Sequence, residues 1–162
     1  MLELRSYHQQ EAEEAVFDYW RSEPGNPLVD LATGCGKSLL MASLIKRLVE
    51  GWPDMRILVA THVAELIEQN YLELLGIWPF APAGIYSAGL GRKDARSQII
   101  FAGIQTVHNK AEQIGHVDVL MVDECHLIPA NSNTMYGRFI AALRAVNPDL
   151  KILGLTATPY RL

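Results

Sequence analysis

The chain's 162 residues are enough to bury one domain's core without disulfides or a structural metal, and too few for a multi-domain machine. A hydrophobic share of 49% with 8% aromatics excludes a disordered tail. The balance of 14 basic against 18 acidic residues, a net charge of -4, excludes a general polycation for nucleic acid, so any such contact needs a local patch. Two cysteines, no secretory signal and no apolar run of the roughly 18 residues that a span needs predict a cytoplasmic chain that stays out of membranes.

From Gln9 to Trp20, residues Ala12, Ala15, Val16, Tyr19 and Trp20 fall on one helical face, with Glu11, Glu13, Glu14 and Asp18 on the other. Pro24-Gly25-Asn26-Pro27 ends that helix, and Leu28 to Leu31 reads as a strand running into Thr33-Gly34-Cys35-Gly36. A second helix is expected from Lys37 to Glu50, with Leu40, Met41, Leu44, Ile45, Leu48 and Val49 inward, stopped by Gly51 and Pro53. Arg56 to Ala60 is the next strand, and Val63 to Leu75 returns to helical spacing through Leu66, Ile67, Asn70, Tyr71, Leu74 and Leu75.

A short strand is expected at Ile85-Tyr86, then a loop from Ser87 to Arg96 carrying Arg92, Lys93 and Arg96, then a strand from Gln98 to Ala102. Val117 to Val122 is an apolar run suited to a central strand buried on both faces, and it leads into Asp123-Glu124-Cys125-His126. A helix from Met135 to Val146 and a strand from Lys151 to Leu155 complete the chain, the strand delivering Thr156-Ala157-Thr158. This alternation predicts an α/β fold with a central, mainly parallel sheet and helices on both faces. No repeat or linker divides residues 1–162, so a single domain is expected.

Gly34-Cys35-Gly36-Lys37-Ser38 lies between a strand and a helix. Its glycines let the backbone curl until N–H groups surround a phosphate, with the positive end of the helix aimed at the same place. Lys37 adds a point charge for β- and γ-phosphates, and the Ser38 hydroxyl is a hard ligand for Mg²⁺. The plain alternative is a glycine-rich turn with an exposed lysine. Leu31 departs from the general phosphate-loop pattern, which has glycine five positions before Gly36. Asp123-Glu124 stands at the carboxyl end of the buried strand, where ligands gather in parallel sheets. Asp123 is suited to hold Mg²⁺, directly or through water, and Glu124 to orient and deprotonate the water that attacks a γ-phosphate. His8, His62, His108 and His116 have no partners at metal-ligand spacing, so zinc is not expected.

Ala32-Thr33-Gly34-Cys35-Gly36-Lys37-Ser38, Asp123-Glu124-Cys125-His126 and Thr156-Ala157-Thr158, each after a strand, resemble motifs I, II and III of the DExH branch of superfamily 2 helicases. That family commonly carries the shorter phosphate loop, which accounts for Leu31. Val122 to His126 and Gly154 to Arg161 look closest to RadD-like helicases, with restriction-enzyme motor subunits as near relatives. The resemblance implies a three-layer RecA-like P-loop NTPase domain that binds ATP and Mg²⁺, with Lys37, Asp123 and Glu124 catalytic and Ser38 and Asp123 on the metal. Thr33, Gly34, Cys35 and Gly36 would join Lys37 and Ser38 around the nucleotide.

The resemblance extends to the segment around Arg5-Ser6-Tyr7, which in that family reads adenine. Gln9, preferred over Gln10 for its spacing to Ala12, would pair with the base edge, and Tyr7 or Arg5 would lie against the ring. It departs from the family in placing His8 between Tyr7 and Gln9. Thr61 and His62, and Gln105 and Thr106, resemble sequence-neutral contacts to a nucleic-acid backbone, with DNA the expected form. His126, Thr156 and Thr158 resemble the residues that couple nucleotide state to strand movement. Cys35 and Cys125 would approach each other across the site.

The reading implied is the N-terminal half of a helicase or translocase, with a second RecA-like domain expected beyond Leu162 to supply an arginine finger, worth about 10³ to 10⁵ in rate. Two alternatives remain: an ATPase that translocates along or remodels duplex without separating strands, and a regulatory domain that binds nucleotide without turnover.

Overall fold

The computed structural model describes residues 7–32, 36–128 and 133–157, apart from the side chains of Tyr7, His8 and Leu127. Arg5, Thr33, Gly34, Cys35 and Thr158, named above, lie outside the described residues, as does the Tyr7 side chain. Seven strands form one sheet: β1 (Leu28–Asp30), β2 (Ile57–Thr61), β3 (Ala83–Ser87), β4 (Arg92–Lys93), β5 (Ile99–Gly103), β6 (Val119–Asp123) and β7 (Lys151–Thr156), in the order β1-β7-β6-β2-β5-β3-β4. All pairings are parallel except β3 with β4. The helices are α1 (Tyr7–Ser22), α2 (Lys37–Gly51), α3 (Ala64–Ile77), α4 (Ile104–Val107), α5 (Ala111–Ile114) and α6 (Met135–Val146), with a 3-10 turn at Cys125–Leu127.

Strand periodicity divides the core in two. Ile57 and Val59 of β2, Ile99 and Phe101 of β5 and Val119 and Met121 of β6 face α1, α2 and α3. Their alternates, Leu58 and Ala60, Ile100 and Ala102, and Leu120 and Val122, face α4, α5 and α6. The result is the expected three layers. Burial of each such Leu or Ile contributes about 1.5–3 kcal/mol, which is why β2, β5 and β6 are apolar throughout.

The elements differ from sequence expectation where the local signal is short or polar. The strand expected at Ile85-Tyr86 is five residues long, and the loop after it contains β4, which pairs Arg92 with Ser87 and Lys93 with Tyr86. The two four-residue helices α4 and α5 were not expected. Leu31 donates its N–H to the Thr156 carbonyl at 3.0 Å, so this residue extends the pairing of β1 with β7.

At the amino ends of the strands, Arg56 holds neighbouring segments together. Its guanidinium donates to the carbonyls of Ile114 (2.6 Å), His116 (2.9 Å), Ala95 (3.0 Å) and Ser97 (3.2 Å), and its backbone N–H donates to Asp118 (2.8 Å).

Candidate functional site

Two clefts open at the carboxyl ends of the strands, on either side of α3. The first, about 550 Å³, is lined by Leu31, Ala32 and Gly36 to Leu39, by Asp123, Glu124, His126 and Ala157, and by Leu66, Gln69 and Glu73 of α3. The second, about 750 Å³, lies over β2, β3 and β5 and includes His62, Ser87, Lys93, Gln105, Thr106 and Lys110, with Ala64 and Ile67 of α3 in its wall.

The first cleft is built around the start of α2. Gly36 caps this helix at φ 76° and ψ 41°, in the left-handed region, and an added Cβ would stand 1.9 Å from Gln9 Nε2. The backbone angle favours glycine, and any side chain here would also have to push the Gln9 amide aside. Unlike α6, whose Thr134 hydroxyl accepts from the Gly137 N–H at 3.1 Å, α2 has no side-chain cap among the described residues. Its leading N–H groups and positive dipole end face the cleft.

Lys37, the first residue of α2, meets both carboxylates at the end of β6. Its Nζ is 3.1 Å from Asp123 Oδ1 and forms a short ion pair with Glu124 Oε1. Burial acts to lower the Lys37 pKa, but the Glu124 hydrogen bond and the Asp123 charge outweigh it and hold the ammonium above its usual value. Asp123 is 1% exposed. Its Oδ1 accepts from the Glu124 N–H at 2.9 Å, and its Oδ2 accepts from Asn70 Nδ2 of α3, also at 2.9 Å.

Glu124 has φ 53° and ψ 44°, the one non-glycine among the described residues at positive φ. The left-handed conformation costs roughly 1–2 kcal/mol for an L-residue. It turns the chain sharply out of β6 into the 3-10 turn and accompanies the Glu124–Lys37 pairing. His126, in that turn, has its Nδ1 2.7 Å from Thr156 Oγ1 and 3.3 Å from Glu124 Oε2, joining the ends of β6 and β7. Cys125, also in the turn, is pushed above the usual thiol pKa by burial.

The structure thus brings Gly36, Lys37, Ser38, Asp123, Glu124 and His126 to one cleft, with Thr156 hydrogen-bonded behind them. No three His, Cys, Asp or Glu side chains among the described residues form a metal cage. The hydroxyl of Ser38 and the carboxylate of Asp123 are hard oxygen donors, few in number. That suits Mg²⁺, which is usually held by one or two carboxylates together with substrate phosphates. Lys37 already places a cation against the same carboxylates.

Other expected residues sit differently. Gln9 is 4% exposed, and its Nε2 donates to the Gly36 carbonyl at 3.1 Å, so its amide is engaged with the residue that caps α2 and does not line the cleft. Thr61 is the last residue of β2 rather than the first beyond it. It is 1% exposed, its hydroxyl accepts from the Val63 N–H at 3.4 Å, and it is absent from the second cleft's lining. Being inside the strand, it shapes the loop and offers no hydroxyl at the surface.

His62, Gln105 and Thr106 do come together. Gln105 Nε2 donates to the His62 carbonyl at 3.1 Å, and the Thr106 hydroxyl accepts from the Ala88 N–H at 3.0 Å. Of the basic cluster, Lys93 lines this cleft, while Arg92 pairs with Asp94 at 2.7 Å and lies over the Tyr71 ring. Lys110, Gln69, Glu73 and Asn70 were not singled out. Asn70 had a legible signal, a polar residue on the inward face of a helix, whereas the others depend on how the elements pack.

A family model described as type III restriction enzyme, res subunit, matches residues 1–161. The chain is 27% identical over 175 residues to the DEAD-box ATP-dependent DNA helicase Fancm of Drosophila melanogaster, covering 99% of this chain and 11% of that protein. It is 30% identical over 146 residues to the ATP-dependent DNA helicase mph1 of Sclerotinia sclerotiorum, covering 83% and 12%. The chain therefore spans only a small part of these relatives. Among solved structures, the UvsW helicase from bacteriophage T4 superposes with a TM-score of 0.73 at 23% identity, over 97% of this chain and 53% of that one. The Sulfolobus solfataricus SWI2/SNF2 ATPase core in complex with dsDNA gives 0.70 at 17% identity, over 98% and 32%. At these identities the structural likeness establishes the fold, which is that of a RecA-like helicase domain.

Proposed function

Because the chain belongs to the type III restriction enzyme res-subunit family, we propose that it is the ATP- and magnesium-binding half of a DNA helicase or translocase. The observation that carries this reading is the meeting of Lys37 with Asp123 and Glu124 at the uncapped start of α2. One cleft thereby offers a lysine, the leading N–H groups of a helix and a carboxylate pair, the parts that a nucleoside triphosphate requires.

When nucleotide enters, Lys37 exchanges the carboxylates for β- and γ-phosphate oxygens, and the α2 amides take up the remaining charge. Ser38 and Asp123 would hold Mg²⁺, which supplies charge neutralisation between the phosphates. Glu124, released from Lys37, becomes a general base for the attacking water. His126 Nδ1 lies within reach of both Glu124 Oε2 and Thr156 Oγ1, so a change at the γ-phosphate reaches the end of β7 through this one ring nitrogen. Gln9 supports the turn at Gly36, and its placement favours that role over direct reading of adenine.

His62, Gln105, Thr106, Lys93 and Lys110 line a polar cleft suited to a sugar–phosphate backbone, without a base-reading element. A second RecA-like domain, covering the first cleft and adding an arginine, completes the proposal. The names of the relatives, ATP-dependent DNA helicases, and the dsDNA complex of a structural neighbour support DNA as the track.

The test is titration of a fluorescent ATP analogue into the 162-residue chain with Mg²⁺ and with EDTA. Binding strengthened by Mg²⁺ and lost in Lys37→Ala is expected, with little hydrolysis by the chain alone. Binding unaffected by Lys37→Ala would overturn the site. In a longer protein that hydrolyses ATP, Glu124→Gln should retain binding and lower turnover about 10²- to 10⁴-fold. Unchanged turnover would remove Glu124 from the mechanism and favour the regulatory, non-hydrolysing reading.

A further inference from the structure

We propose that Asn70 is a positioning residue of the first cleft, fixing the Asp123 carboxylate in the orientation that magnesium requires. The inference rests on the nucleotide–magnesium reading above.

Asn70 lies in the middle of α3 and is 1% exposed, as is Asp123, so their hydrogen bond at 2.9 Å is fully removed from water. Its neighbours on the inward face, Ile67 and Leu74, belong to the apolar core. A polar residue there breaks the pattern that makes the helix pack. The amide nitrogen is accounted for by Asp123, but Asn70 Oδ1 is buried with no partner among the described residues. An amide oxygen buried without a partner offsets much of what the one bond to Asp123 contributes to stability. What Asn70 supplies is a donor at one fixed place.

The two oxygens of Asp123 are held from opposite sides. Oδ2 is tied to Asn70, while Oδ1 is tied to the Glu124 N–H and lies beside Lys37. Two donors on different oxygens fix the plane of the carboxylate and leave Oδ1 directed toward the lysine. Without Asn70 only the Oδ1 side is held, and the carboxylate can rotate about Cβ–Cγ around that contact. Outer partners of metal-ligating groups typically govern affinity by 10- to 100-fold.

The tie also has a place in the fold. Leu66, Gln69 and Glu73 of α3 line the first cleft, and Ala64 and Ile67 line the second. Asn70 is therefore the point at which the helix between the clefts grips the acidic pair.

The experiment measures affinity for a fluorescent ATP analogue with Mg²⁺ and with EDTA, in the parent chain, Asn70→Leu, Asn70→Ala and Leu74→Ala. Leu74 is one turn further along the same buried face, so its truncation loosens the packing of α3 without touching Asp123. The expected result is a 10- to 100-fold fall in the strengthening by Mg²⁺ for both Asn70 variants, with affinity in EDTA unchanged and Leu74→Ala like the parent. Parental strengthening in folded Asn70→Leu or Asn70→Ala would overturn the proposal. So would an equal loss in Leu74→Ala, or failure of both Asn70 variants to fold, since either outcome makes Asn70 a core residue. If the parent itself shows no strengthening by Mg²⁺, the nucleotide reading fails first, and this inference with it.

Discussion

Lys37→Met tests the charge arrangement of the first cleft without any nucleotide. The substitution keeps the length and apolar stem of the side chain but removes the ammonium between Asp123, 1% exposed, and Glu124, whose side chain is 22% exposed. Breaking a fully buried pair costs about 3–5 kcal/mol. Partial exposure of Lys37 and Glu124 discounts that to roughly 1–3 kcal/mol. For a domain of this size each kcal/mol moves the melting temperature about 2–4 °C, so a fall of about 2–12 °C is expected at pH 7.

The sign with pH follows from the raised pKa of Lys37. A cation whose folded pKa lies above its unfolded value contributes in full below the unfolded value and loses that contribution as pH rises through the folded one. The deficit of the variant should therefore be complete at pH 7 and shrink only under strongly alkaline conditions. Without the ammonium the two neighbouring carboxylates repel one another. The double variant Lys37→Met with Glu124→Gln, which removes that repulsion, should recover part of the loss. Thermal melts of the three proteins at several pH values check this. A Lys37→Met chain as stable as the parent at pH 7 would refute the view that the lysine holds the acidic pair together.

Gly36→Ala should lower stability by about 1–2 kcal/mol from backbone strain alone, and further because its methyl group displaces Gln9. Gly91→Ala provides the comparison: Gly91 also has positive φ, 66°, but no atom lies within 4 Å of its added Cβ. Equal melting temperatures for the two variants would show that the Gln9 contact is unimportant. Cys125, its thiol pKa raised by burial, should react with iodoacetamide at pH 8 more slowly than glutathione does, as followed by peptide mass mapping that separates it from Cys35. A rate equal to glutathione's would contradict the burial of the thiol.

What was legible in the sequence follows from the length and polarity of each signal. The inward residues of α2 recur over four turns, and β6 is apolar enough to require cover on both faces, so both elements could be read directly. Arg92–Lys93 pairs through its backbone while its side chains face water, which leaves β4 without a periodic signature. The four residues of α4 and of α5 span about one turn each, too short for a repeat to register. The motif residues of the first cleft could be named because each group follows a strand in a short local pattern: the glycine turn into α2 after β1, and the acidic pair at the end of β6. Their geometry could not: the positive φ of Glu124 and the engagement of Gln9 with Gly36 both arise from packing between segments distant in sequence. Thr61 shows the same limit, since one additional residue of strand turns a surface hydroxyl into a buried one.

Arg56 gathers four carbonyl groups from the segments leading into β5 and β6, all at the rim of the sheet remote from both clefts. That rim is riveted: parting these segments would break bonds to one half-buried guanidinium that serves them all. At the opposite rim the described residues are joined through side chains such as Lys37, Asp123 and His126, and the ion pair among them is one that a ligand can replace. A ligand that displaced the Lys37 ion pair would thus exchange side-chain partners at the end of the sheet away from this rivet, above a strand ladder that can stay closed.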